Sequence, residues 1–111
     1  MEIVHPNQDP RVVNGNGTIA LEFLQQMDEM GEELDAVIVA IGGGGMISGI
    51  ATYLKQKRPN IKIIGVEAER ACSAYKSLKE GKLVKNPPGV VIDTIADSIK
   101  SSLGSTTAPI V

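Results

Sequence analysis

Apolar residues along the chain fall into two distinct patterns. Continuous apolar runs, rich in β-branched residues, cover Ala36–Ile41 and most of Ile61–Glu67. Runs of this kind are typical of parallel strands that are buried on both faces. Between them, apolar residues recur at helical spacing over residues 46–57, and Pro59 ends the pattern. We therefore predict a strand, a crossover helix and a second strand, which is the βαβ unit of an α/β fold.

Two further helices are predicted outside this unit. An apolar stripe indicates a helix over residues 18–30, preceded by a turn over residues 14–17 and closed by Gly31. A moderately amphipathic stretch indicates another helix over residues 70–80, closed by Gly81.

The N-terminal stretch carries two weak signals. Residues 2–4 could form a short strand ahead of a proline-containing loop, in which His5 is more simply structural than catalytic. The glycines at 15 and 17 with Ala20 match G-x-G-x-x-A, the fingerprint of dinucleotide-binding domains. We reject that interpretation because the preceding apolar run is short and no acidic residue is placed to bind a ribose.

Composition excludes several classes of protein. With 111 residues and 42% hydrophobic residues, the chain has room for one small domain with an aliphatic core. Its net charge of −2 offers no basic surface for nucleic acid, and no apolar run approaches the length of a membrane span. Cys72 is the only cysteine, so we expect a reducing, cytoplasmic location.

Four consecutive glycines, Gly42–Gly45, stand where the first strand ends and the crossover helix begins. Glycine permits positive φ and a close approach of the backbone to a ligand. Successive N–H groups at a helix N-terminus can bind a phosphate without a basic side chain. The spacing fits neither the nucleotide P-loop nor the dinucleotide fingerprint. A tight turn with no ligand is the alternative.

The strand, the glycines and Met46 together resemble the tetraglycine loop of fold-type II pyridoxal phosphate enzymes, in particular the serine racemase and serine/threonine dehydratase family. The helix before the first strand and the segment Thr94–Ser98 also resemble that family. The resemblance covers residues 1–111 and implies part of the large, cofactor-binding domain, with a parallel sheet like that of the tryptophan synthase β subunit. It implies that Gly42, Gly43, Gly44, Gly45 and Met46 bind the 5′-phosphate of pyridoxal phosphate.

The resemblance also implies a cation site at the end of the second strand. In this family a glutamate, a backbone carbonyl and a side-chain oxygen bind the ion, and these positions correspond to Glu67, Ala71 and Ser73. With one carboxylate in the set, the implied ion is K⁺, or Mg²⁺ bound weakly. From the residues alone, Glu67 is more simply an exposed acid or a partner of Arg70.

No lysine of the chain lies in the Ser-x-Lys-x-Arg-Gly context in which this family binds its cofactor covalently. We therefore expect a middle segment of the enzyme that is inactive alone, with catalytic residues elsewhere. The implied substrates are L-serine and L-threonine, and the implied assembly of the complete enzyme is a homodimer. The alternative is a non-catalytic module that binds another phosphorylated ligand or a protein partner.

Overall fold

The computed structural model describes residues 1–111. Three α-helices and two β-strands follow one another in the order predicted for an α/β chain, with two short 3-10 turns. Their bounds are α1 Pro10–Met30, β1 Ala36–Ala40, α2 Gly45–Lys57, β2 Lys62–Val66, a 3-10 turn Glu69–Ala71, α3 Ser73–Glu80 and a 3-10 turn Asp97–Ile99.

The two strands form a parallel sheet, as predicted for a βαβ unit. Ile38 pairs with Ile64, and Ala40 pairs with Val66. Helix α2 connects the strands and packs against β1 and α1. The carboxyl ends of both strands therefore lie at one edge of the sheet, where the four glycines and Glu67 follow them.

Only one face of this sheet is covered. Val39 is buried on the face that the helices pack against. On the opposite face, Ile38 is 71% exposed, Ile64 45% and Val66 44%. The prediction that both faces are buried is wrong for this chain, because the helix of a single βαβ unit can cover only one of them.

Helix α1 is longer than predicted, since it begins at Pro10 instead of near Thr18. Asp9 caps it by accepting a hydrogen bond from the Arg11 N–H at 2.9 Å, and the proline occupies the first helical position. Hydrogen bonds from the Arg11 side chain and N–H hold the pKa of Asp9 below its ordinary value. The glycine-containing residues 14–17, predicted as a turn, continue the helix.

Close packing between α1 and α2 explains why those glycines remain helical. A Cβ at Gly49 of α2 would meet the Val13 carbonyl and the Gly17 nitrogen of α1. The two helix backbones therefore approach within a distance that only glycine permits. The buried core that forms around this contact comprises Ala20, Leu24, Val39, Ile41, Ile47, Ile50, Leu54, Ile61, Ala74 and Leu103.

The ends of the chain are mostly irregular. Residues 2–4 form no strand, so that prediction is wrong. The helix predicted over residues 70–80 is divided into a 3-10 turn and α3, which ends at Gly81 with φ 67°. Beyond it, Leu103 brings the C-terminal segment into the core. No helix combines the length and the apolar character that crossing a membrane requires.

Candidate functional site

The glycine loop leaves β1 and enters α2 within a few residues. The Ile41 N–H extends the sheet by donating to the Val66 carbonyl at 2.8 Å. Gly44 then adopts φ 88°, in the left-handed region, and stands immediately before the first residue of α2. This conformation favours glycine, because a side chain is strained at such a φ.

The N–H groups of this loop have no acceptor in the structure. From Gly42 to Ile47, no N–H donates a hydrogen bond, and the series of bonded N–H groups resumes at Ser48, which donates to the Gly44 carbonyl at 3.0 Å. No side chain caps α2 either. Unpaired N–H groups at a helix N-terminus carry partial positive charge and suit an anion.

Packing accounts for the glycines themselves. A Cβ at Gly43 would meet the side chain of Asn7, and one at Gly44 would lie 2.8 Å from Leu103 and 2.9 Å from Thr107. A Cβ at Gly45 would lie 2.7 Å from a backbone carbonyl oxygen. The number of glycines is therefore weaker evidence for a ligand than the sequence suggests, and the unpaired N–H groups are the stronger evidence.

Sequence reasoning missed the residues that surround this loop. The Gly43 carbonyl accepts hydrogen bonds from the Thr107 hydroxyl at 2.6 Å and from the Gly104 N–H at 3.2 Å. Asn7 packs on the same glycine, and its buried Oδ1 has no hydrogen-bond partner. None of these residues carries a local signal, since each is far from the loop in the sequence.

Glu67 accepts hydrogen bonds from the start of α3. Its Oε1 accepts from the Ala74 N–H at 2.8 Å, and its Oε2 accepts from the Tyr75 N–H at 2.9 Å. The carboxylate is half-buried. Arg70 pairs instead with Asp93 at 3.1 Å, so the interpretation of Glu67 as a partner of Arg70 is wrong.

The other two residues of the predicted cation set are fully buried beside Glu67. Ala71 ends the 3-10 turn and Ser73 begins α3, and neither is exposed to solvent. The Ser73 hydroxyl oxygen accepts a hydrogen bond from the Leu103 N–H at 3.1 Å. The structure thus brings together the three residues near one helix start, with one carboxylate among them. No group of three or more His, Cys, Asp or Glu side chains gathers here or anywhere else in the structure.

A separate apolar cavity of about 560 Å³ lies between α2, β2 and α3. Ile41, Ile63, Leu78 and Glu67 contribute to its wall. None of the four glycines lines it. This cavity is therefore distinct from the N–H groups that suit an anion.

The lysines of the chain lie at the surface. All are exposed apart from Lys100, which is half-buried. None makes a hydrogen bond to the glycine loop. This arrangement is typical of solvated lysines.

Comparison with known proteins places the chain in a family. The family model described as "Pyridoxal-phosphate dependent enzyme" matches residues 2–111. Human serine racemase is 46% identical over an alignment 111 residues long, which covers 98% of this chain and 30% of the human protein. L-threonine ammonia-lyase of Geobacter sulfurreducens is 45% identical over an alignment 109 residues long, which covers 97% of this chain and 25% of that protein.

Solved structures show the same relationship. Maize serine racemase matches 96% of this chain and 31% of its own, with a TM-score of 0.84 and 36% identity. Threonine deaminase isoform 2 from Solanum lycopersicum matches 99% of this chain and 29% of its own, with a TM-score of 0.86 and 40% identity. The chain thus spans less than a third of each of these relatives. It belongs to the family of pyridoxal-phosphate dependent enzymes, and its small parallel sheet and helices have the α/β fold of the fold-type II members.

Proposed function

We propose that this chain is the phosphate-binding part of a pyridoxal phosphate enzyme that removes ammonia from L-serine or L-threonine, or racemises serine. The observation that supports this most directly is the series of N–H groups from Gly42 to Ile47 without an acceptor. Unpaired backbone donors are uncommon where they are buried, and Gly44 and Gly45 are buried. The oxygens of a bound phosphate group would accept hydrogen bonds from such donors.

In this proposal the whole loop binds the phosphate group, and the remaining chemistry comes from the cofactor ring and from other residues. The N–H groups of Gly42, Gly43, Gly44, Gly45 and Met46 donate to the 5′-phosphate, and the positive end of the α2 dipole favours its charge. The bound pyridoxal ring supplies the electron sink for reactions at the amino acid Cα. The catalytic base and the contacts to that ring would come from residues outside this chain, so we expect the chain alone to be inactive.

We propose further that Glu67, the Ala71 carbonyl and the Ser73 hydroxyl bind a cation in the complete enzyme. Each carboxylate oxygen of Glu67 accepts one N–H and retains further capacity as an acceptor. A single carboxylate with two neutral oxygens supplies little negative charge, which favours K⁺ or weakly bound Mg²⁺. The complete enzyme would be a cytoplasmic homodimer.

The experiment that tests the phosphate site removes one donor from it. Met46 lies in the first turn of α2, where proline is tolerated, and its side chain is 40% exposed. Met46→Pro in the complete enzyme deletes one N–H, whereas Met46→Ala keeps it. Since a hydrogen bond to a charged group contributes about 1.5–3 kcal/mol, we expect Met46→Pro to bind the cofactor at least about tenfold more weakly.

The measurement is a titration with pyridoxal phosphate, followed by the absorbance of the bound cofactor. Met46→Ala should bind nearly as well as the unsubstituted enzyme, and circular dichroism should show that both variants are folded. Equal affinities for the two variants would contradict the proposed phosphate site. Release of ammonia from L-serine by the isolated chain would contradict the assignment of the catalytic residues to other segments.

A further inference from the structure

The Gly43 carbonyl is held by two donors from the C-terminal segment. The Thr107 hydroxyl lies 2.6 Å from it, and the Gly104 N–H lies 3.2 Å from it. Thr107 is fully buried, so water does not compete for this hydroxyl. A buried hydrogen bond of this length holds both partners in a defined orientation.

The direction of the hydroxyl proton follows from the neighbouring groups. The Gly104 N–H is shared between two acceptors, the Gly43 carbonyl at 3.2 Å and Thr107 Oγ1 at 3.0 Å, and the second contact uses one lone pair of the hydroxyl oxygen. Two carbonyl oxygens lie within reach of the single hydroxyl proton, that of Gly43 at 2.6 Å and that of Gly104 at 3.3 Å. The shorter distance assigns the proton to the Gly43 carbonyl.

Holding this carbonyl also sets the direction of the next N–H. In a planar trans peptide, the carbonyl oxygen of one residue and the N–H of the following residue point in opposite directions. When the Gly43 carbonyl points at Thr107, the Gly44 N–H must point away from it. That N–H belongs to the group that has no acceptor in the structure.

The segment that carries Thr107 is itself fixed at both ends. The Leu103 N–H donates to the buried Ser73 hydroxyl at 3.1 Å. On the other side, Ala108 and Val111 pack against the buried core. Because this segment is anchored, the Thr107 hydroxyl can hold the glycine loop in one conformation before a ligand binds.

We propose that Thr107 is a positioning residue, which sets the Gly43–Gly44 peptide so that the Gly44 N–H is directed at the bound phosphate. The inference rests on the proposed phosphate site and adds the residue that orders it. In this proposal Thr107 donates a hydrogen bond to the Gly43 carbonyl and does not itself bind the ligand.

The test compares three variants of the full 111-residue chain. Thr107→Val keeps the shape of the side chain and removes the hydroxyl, whereas Thr107→Ser keeps the hydroxyl. Thr106→Val is the matched control, because the hydroxyl of Thr106 donates to the Gln8 carbonyl at 2.8 Å and does not touch the loop. Binding of inorganic phosphate and of pyridoxal phosphate is followed by the amide NMR signals of the ¹⁵N-labelled chain.

We expect Thr107→Val to weaken the binding of both probes about threefold to tenfold, while Thr107→Ser and Thr106→Val bind like the unsubstituted chain. Urea unfolding of each variant, measured alongside, distinguishes a loss of affinity from a loss of fold. Equal affinity of Thr107→Val and Thr106→Val would overturn the positioning role.

A second measurement uses the unsubstituted chain and does not depend on how any variant folds. The Gly44 amide signal should shift when either probe is added, because its N–H is the donor that Thr107 orients. If the other glycine amides shift and that of Gly44 does not, the positioning role is overturned and the phosphate site remains. If no amide of the loop shifts with either probe, the proposed phosphate site fails, and the role of Thr107 fails with it.

Discussion

At the residue scale, the carboxylate of Glu67 is engaged with two N–H groups at the start of α3. Negative charge at a helix N-terminus stabilises the helix, and these hydrogen bonds satisfy donors that the helix leaves unpaired. Glu67 therefore contributes to folding whether or not a cation is bound. The identity of a cation would be decided by its neighbour Ser73, which supplies a neutral oxygen where a carboxylate would add charge.

Ser73→Asp is expected to change the preference of this site toward divalent ions. A second carboxylate beside Glu67 raises the charge that Mg²⁺ requires, and we expect its affinity to rise roughly tenfold or more while that of K⁺ changes less. Calorimetric titration of the complete enzyme with each ion measures this. Ser105→Asp, at an exposed position, is the matched control for added charge. Equal Mg²⁺ affinities for the two variants would refute the cation site.

At the scale of elements, the contact between α1 and α2 determines the length of α1. Glycine and asparagine at residues 14–17 disfavour a helix by their intrinsic propensities. They are helical here because Asp9 caps the helix upstream and because Gly49 lets α2 approach Val13 closely. Tertiary packing has thus overridden a local preference for a turn.

Two glycine substitutions test this account in opposite directions. Gly15 has nothing within 4 Å of an added Cβ and lies in helical backbone, so Gly15→Ala should raise the free energy of unfolding by about 0.5–1 kcal/mol. Gly49→Ala places a Cβ against the Val13 carbonyl and should lower the free energy of unfolding. Urea unfolding of both variants measures the change. A stabilising Gly49→Ala would show that the two helices are not held by this contact.

At the scale of the whole molecule, the chain leaves much apolar surface open. Its radius of gyration is 14.8 Å, compared with about 13 Å for a compact domain of this length. The uncovered sheet face carries Ile38 and Ile64, and both strands have an unpaired edge. Open edges and apolar faces promote association between chains.

We therefore expect the isolated chain to self-associate through this face. Ile38→Lys places a charge at its centre and should weaken association roughly tenfold, since burial of an isoleucine side chain contributes about 1.5–3 kcal/mol. Sedimentation velocity over a range of protein concentrations measures the change. Ile95→Lys is the matched control, because Ile95 is fully exposed and lies outside the sheet. If both variants associate equally, another surface is responsible.

The sequence alone determined the βαβ unit and the position of the glycine loop within it. Continuous β-branched runs and an apolar stripe at helical spacing are local patterns. They specify a strand and a helix, which are local elements, so the sequence is sufficient to predict them. The sequence also placed Glu67 at the same edge of the sheet as the glycines, because parallel strands end on one side. The resemblance to fold-type II enzymes rested on these same local motifs, and the family comparisons agree with it.

Only the tertiary structure decided what surrounds the loop. Thr107 and Asn7 reach Gly43 from distant parts of the chain, and no periodicity or spacing encodes such contacts. The early start of α1 depends likewise on a neighbouring helix that approaches at Gly49. Local sequence specifies backbone preferences residue by residue, whereas hydrogen bonds between distant segments exist only after the chain has packed.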